Sequence, residues 1–220
     1  MSIKPLVAAA LASTLWVAGS AQAALTVYTT QASFLAATAG PVGVDTYDNL
    51  DPTEPLATPL ARTAGSFSYT ASAGPLSNFF PASNDGSDVW LATNNSGDTI
   101  TLSGFSGAAS AVGGFFFRSD VLGNSSASPA TINIRVSDSL GATLTQAQVN
   151  PGLTSFVGFV SNGSISSVQV FVGTQGTGTA GVWPTINNLN VALAVPEPQS
   201  WALMFAGLGL VGWQVLRRSR

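Results

Sequence analysis

Apolar and polar residues alternate along much of the chain with a period of two. Ile132, Ile134 and Val136 alternate with Thr131, Asn133, Arg135 and Ser137, the pattern of a half-buried strand. Val168, Val170 and Val172 alternate with Gln169 and Phe171, and Leu189, Val191 and Leu193 with Asn190 and Ala192. Short β-prone runs recur throughout, and the spacing predicts strands at 25–29, 43–47, 66–72, 88–93, 98–103, 110–118, 130–137, 142–146, 155–160, 165–172 and 185–193. Phe115, Phe116 and Phe117 run together without alternation, as in a strand buried on both faces. Turn chemistry lies between the runs, at Asn84-Asp85-Gly86, Asn95-Ser96-Gly97, Leu122-Gly123-Asn124, Asn150-Pro151-Gly152 and Asn162-Gly163. Strands at this spacing predict an all-β antiparallel sandwich or barrel. One short helix is expected, with Thr30 as N-cap, residues 31–38 helical, and Phe34 and Leu35 facing inward.

The two ends break this pattern. Lys4 precedes an apolar stretch over 5–18, and Ala21-Gln22-Ala23 is a small-x-small cleavage site. This is a secretory signal peptide, residues 1–23, with cleavage before Ala24. At the other end Val195-Pro196-Glu197-Pro198 is followed by Trp201 to Leu216, an uncharged run, and then by Arg217-Arg218-Ser219-Arg220. The run reads as a transmembrane helix held by a cytoplasmic Arg cluster. It falls just short of the usual span of about 17–25 residues, and Gly207, Gly209 and Gly212 dilute it. A temporary hold fits better than a permanent anchor. Residues 24–195 remain as one domain, large enough to bury a core without disulfides.

Composition narrows the chemistry. The chain has 220 residues, 45% hydrophobic and 8% charged, with no Cys and no His. That removes imidazole-dependent nucleophile systems, thiolate metal sites and thiol redox couples. Residues 24–195 hold no Lys, and three Arg (Arg62, Arg118, Arg135) against nine acids, a net charge of −6. Such a domain has no basic patch for nucleic acid. No catalytic residue stands out, and the domain reads as a non-enzyme.

The tail carries a resemblance. Pro196-Glu197-Pro198, the apolar run and the basic end of Arg217, Arg218 and Arg220 resemble the PEP-CTERM sorting signal, a tail also described as an ice-binding protein C-terminal domain. The resemblance implies processing near the motif by an exosortase-type enzyme. It also implies export across the inner membrane, a transient membrane stage, and delivery to the cell surface or extracellular matrix. Thr-x-Thr at Thr99, Thr143 and Thr177 has no fixed period, so no ice-binding ladder is expected. Gln31-Ala-Ser-Phe34-Leu, Ala111-Val-Gly-Gly-Phe115, Ser155-Phe-Val-Gly158, Ile165-Ser-Ser-Val168 and Ile186-Asn-Asn-Leu189 resemble a recurring PEP-CTERM cargo. That resemblance implies a jelly-roll sandwich akin to carbohydrate-binding modules, with exopolysaccharide as a partner.

Candidate sites follow. Asp85, Asp88 and Asp98 surround Asn84-Asp85-Gly86-Ser87 with oxygens at spacings that suit Ca²⁺, and an Asn/Asp/Gly turn explains the same residues. The family resemblance implies a structural Ca²⁺ between an early acid, Asp48, and the last strand at Asn187 or Asn188. Relatives tend to carry an Asp there. Phe79, Phe80 and Trp183 are candidates for stacking on a sugar. Two alternatives stay open: a self-assembling matrix protein without a ligand, and a glycan-active enzyme using carboxylates such as Asp85 with Asp88 or Asp98 with Asp120.

Overall fold

A computed structural model of the chain describes residues 24–74, 77–175, 181–195, 207–209 and 217. The alternating segment around Ile134 forms a strand whose Ile132, Ile134 and Val136 are buried and whose Arg135 is exposed. Elements follow in the order β1 (Leu25–Tyr28), α1 (Gln31–Ala36), β2 (Thr38–Asp45), β3 (Leu60–Ala64), β4 (Phe67–Ser72), β5 (Phe79–Ala82), β6 (Trp90–Thr93) and β7 (Ile100–Ser103). The chain continues with β8 (Ala111–Ser119), β9 (Ala130–Asp138), β10 (Thr143–Val149), β11 (Phe156–Ser161), β12 (Ile165–Gln175) and β13 (Trp183–Ala194).

The strands form two antiparallel sheets. One is ordered β1-β11-β8-β13-β6-β5, and β2 also pairs with β13. The free edge of β13 is shared: β6 takes Thr185 and Ile186, and β2 takes the stretch from Leu189 onward. The second sheet is ordered β10-β9-β12-β7-β4-β3. Between the sheets lies one main core, with Phe116, Phe159, Ile186 and Leu189 from the first sheet and Ile100, Leu102, Ile134 and Val168 from the second. The phenylalanine run is covered on both sides, as its lack of alternation predicts. Phe116 enters the main core, Phe115 meets the Phe156 ring at 5.5 Å between centroids, and Phe117 meets Trp90 at 5.2 Å.

Several expectations need correction. The helix ends at Ala36, not Thr38, because Thr38 pairs with Ala194 and opens β2. Its cap is as expected: Ser33 N donates to Thr30 Oγ1 at 3.2 Å. Phe34 is fully buried, but Leu35 faces outward at 39% exposure. Two strands, β3 and β5, lie where none is predicted. Leu-Ala-Arg-Thr-Ala has weak β-propensity, yet all five of its residues pair with β4. Pro81 argues against a strand by itself, but β5 is an outer strand, where proline is tolerated.

The expected C-terminal transmembrane helix lies almost entirely outside the described residues, as do Ala21 and Ala23. Among the described residues no helix is long and apolar enough to cross a membrane.

Candidate functional site

Where β2 meets β3, the two sheets approach closely. A methyl group on Gly43 would collide with the Ala64 carbonyl, so glycine is required at that crossing. Two residues further, β2 ends at Asp45 and the chain turns through Tyr47, whose φ of 64° is left-handed. That turn drives the Tyr47 ring into the core, fully buried. On β4, Phe67, Tyr69 and Ala71 point inward by strand alternation. On β3, Arg62 points the same way, toward Asp45.

These side chains form one network. Arg62 Nε donates to Asp45 Oδ2 at 2.9 Å, and Arg62 Nη2 donates to Asp45 Oδ1 at 2.5 Å and to Asn49 Oδ1 at 2.9 Å. The Tyr69 hydroxyl donates to Asp45 Oδ2 at 2.7 Å, and Tyr47 N donates to Asp45 Oδ1 at 3.2 Å. The two tyrosine hydroxyls are 2.9 Å apart. The guanidinium also lies 5.2 Å from the centre of the Tyr47 ring, within cation–π range.

Burial, and secondarily the Asp45 charge, push the Tyr47 phenol well above its ordinary pKa. Burial followed by Tyr47 and Asp45 does the same to Tyr69. Burial alone would lower Arg62, but its hydrogen bonds to Asp45 and the carboxylate charge outweigh that and hold it higher. Both phenols are therefore neutral and the guanidinium is charged at neutral pH. A carboxylate has about four acceptor positions, and Asp45 receives four donors. Its acceptor positions are taken up within the network. The network ties β2, β3 and β4 together.

Above it opens a cleft of about 610 Å³, within the range of about 300–1,000 Å³ usual for ligand sites. Arg62, Asp45 and Tyr69 line it together with the hydroxyls of Thr46, Thr63, Ser68 and Thr70 and the amide of Asn49. Among the described residues, Arg62 Nη1 has no hydrogen-bond acceptor. Sequence reasoning missed this site. A signal was present: only three Arg exist between 24 and 195, and a buried Arg in an acidic domain needs a carboxylate.

The predicted metal residues separate into groups. Asp85 Oδ1 accepts from Ser87 N at 2.9 Å and Ser87 Oγ at 2.8 Å, which lowers its pKa. It serves its own turn. Asp98 Oδ2 accepts from Asn95 Nδ2 at 3.1 Å in another turn. Asp48 and Asp88, by contrast, converge. Asp48 Oδ1 accepts from Val89 N at 3.0 Å, and Asp88 Oδ1 accepts from Asn187 Nδ2 at 2.8 Å. Asn187 sits where the β8–β13 register breaks, with Asn188 at φ 47°. Among the described residues no cluster of three or more acidic side chains could hold a metal ion.

The aromatic candidates also divide. Phe79 is fully buried. Phe80 and Trp183 line a small cleft of about 70 Å³ with Asp120 and Asn94, and Trp183 Nε1 donates to Asn94 O at 3.3 Å. Pro196, Glu197, Pro198, Arg218 and Arg220 lie outside the described residues, and Arg217 is described only as helical and exposed.

A profile of the PEP-CTERM protein-sorting motif matches residues 194–220. The chain carries a PEP-CTERM sorting signal. The matched stretch contains the Pro196-Glu197-Pro198 motif, the apolar run and the terminal Arg cluster. The signal implies export and sorting to the cell surface, and it is the type recognised by exosortase processing enzymes. No curated protein matches the chain in sequence. Among solved structures it is similar to TmCBM61, determined in complex with β-1,4-galactotriose, at 14% identity and a TM-score of 0.30, covering 56% of this chain and 86% of that one. It is also similar to the N-terminal CBM22-1–CBM22-2 tandem domain of Paenibacillus barcinonensis Xyn10C, at 15% identity and a TM-score of 0.32, covering 74% of this chain and 48% of that one.

Proposed function

We propose that this PEP-CTERM protein is a non-enzymatic surface or matrix component that binds exopolysaccharide after its tail is removed. The cleft at Arg62 carries the reading. Its walls carry hydroxyls and an amide beside Val44, Ala61 and Gly104, its one guanidinium is neutralised by Asp45, and Arg62 Nη1 remains for a ligand oxygen. Such a surface matches the hydroxyls of a neutral polysaccharide. A fixed, pre-formed donor array also spares the ordering cost that weakens binding by flexible loops. The neutral phenols and the fully engaged Asp45 carboxylate speak for recognition over acid–base chemistry. In this reading Trp201 to Leu216 spans the membrane only until an exosortase-type enzyme cuts near Pro196-Glu197-Pro198, with Arg217, Arg218 and Arg220 as the cytoplasmic stop.

The test is co-sedimentation of the processed protein, recovered from its host, with the host's own exopolysaccharide, with and without a Ca²⁺ chelator. Retention is expected for the natural protein. It is expected to be lost in Thr63→Trp and Ser68→Trp, which fill the cleft from exposed positions, at an unchanged Tm. Loss on chelation alone would move the site to Asp48, Asp88 and Asn187. No retention in any condition would overturn the polysaccharide reading.

A further inference from the structure

The outer strands of the two sheets are not protected equally. An exposed strand edge is a row of unpaired N–H and C=O groups, which proteins block with charge, proline, bulges or very short strands. β1 has four residues, and β5 holds Pro81 and is bridged at Phe79 by Leu56. β2 holds Pro41 and breaks register against β13, and β3 turns the charged Arg62 inward. β10 has none of these. Thr-Leu-Thr-Gln-Ala-Gln-Val carries no charge and no proline, and its seven residues pair with β9 without a register break.

Its free groups can be assigned. Asp138 N donates to Ala142 O, and Asn150 N donates to Ala130 O. In an antiparallel ladder the bonded residues alternate, so the even-numbered residues of β10 face β9. The backbone N–H and C=O of Thr143, Thr145, Ala147 and Val149 point outward. Gln146 Nε2 folds back onto the Ala147 carbonyl at 3.0 Å, as expected of an outward acceptor.

We propose that β10 joins two copies of this chain edge to edge. The strand is complementary to itself. In an antiparallel pair centred on Gln146, Thr143 bonds opposite Val149 and Thr145 opposite Ala147, every outward group finds a partner, and no charges oppose. A second observation favours a copy over a foreign strand. Gln148 Oε1 is a buried acceptor with no hydrogen-bond partner, and such a group costs about 1–3 kcal/mol. In this register Gln146 of the second copy lies diagonal to it, within reach of a long side chain, and brings an amide donor. β10 and β3 are opposite edges of one sheet. The joined sheet therefore keeps an Arg62 cleft at each outer end, so a pair can hold two polysaccharide strands.

The chain has no cysteine, which makes the contact testable in the exported protein as its host processes it. Gln146 would face Gln146 of the second copy as a non-hydrogen-bonded pair, with Cα atoms about 4.5 Å apart, inside disulfide range. Gln146→Cys is expected to give a covalent dimer on a non-reducing gel. Ser166→Cys, exposed in mid-sheet on β12, is expected to stay monomeric, and adding Thr145→Lys to Gln146→Cys is expected to abolish the dimer at an unchanged circular dichroism spectrum. The natural protein, which keeps the Gln146 amide, is expected to elute as a dimer in size-exclusion chromatography, and a monomer there together with a monomeric, maleimide-reactive Gln146→Cys protein overturns the proposal. Equal dimer from Ser166→Cys overturns it too. Neither readout involves polysaccharide, so this proposal and the binding reading fail separately.

Discussion

Arg62 grips both carboxylate oxygens of Asp45, with the two side chains only 8% and 4% exposed. The pair stands at the seam between the sheets, with Asp45 closing a strand of one and Arg62 lying in an edge strand of the other.

Removing one partner leaves a buried, unpaired charge, which costs about 3–5 kcal/mol. Arg62→Ala and Asp45→Ala are each expected to lower Tm by roughly 10 °C, at about 2–4 °C per kcal/mol for a domain of this size. The double change Arg62→Met with Asp45→Leu is expected to recover most of the loss. Thermal unfolding followed by circular dichroism checks this, and equal loss in the double variant would contradict it.

The two buried phenols fix an alkaline limit. Their folded pKa values lie above the free value of about 10, so the fold favours the neutral form. Their contribution is complete below pH 10 and is lost as pH rises toward the folded values, because the unfolded chain ionises first. Denaturant unfolding between pH 8 and 12 should show stability falling above pH 10. Tyr47→Phe with Tyr69→Phe should flatten that slope while starting from a lower value.

Gly43 passes against the Ala64 carbonyl with no room for a methyl group. Gly43→Ala is expected to cost about 1–3 kcal/mol by overpacking and to separate β2 from β3. Gly152→Ala, where a methyl group meets nothing within 4 Å, serves as the control and should leave Tm nearly unchanged.

Asn187 donates to Asp88, so Asn187→Asp would set two carboxylates against each other. At pH 7 a loss of about 1–3 kcal/mol is expected, shrinking as pH falls and the pair takes up a proton. Added Ca²⁺ offers a second readout. Recovery of Tm with millimolar Ca²⁺ in Asn187→Asp, but not in the natural protein, would show that the amide keeps this corner metal-free.

Legibility in the sequence followed the range of the interactions. Ile132, Ile134 and Val136 announced β9 because alternation alone determines which face is apolar. Thr30 and Phe34 announced the helix, but its end and the exposure of Leu35 depended on β2 pairing with β13. Arg62 gave no local sign of its role, because Leu-Ala-Arg-Thr-Ala becomes a strand only against β4. Asp88 looked like part of its own turn, yet its partner lies 99 residues away.

The sequence alone determined the sorting tail, the all-β class and the absence of imidazole and thiol chemistry. Those properties are local or compositional: apolar run length, terminal charge, period-two alternation and a residue count. Tertiary structure decided where the polar chemistry gathers. Asp45, Arg62 and Tyr69 meet because two sheets close at Gly43, and β10 is left bare because strand order places it at an edge. Juxtaposition of distant segments depends on the whole packed core, and no single stretch of chain encodes it.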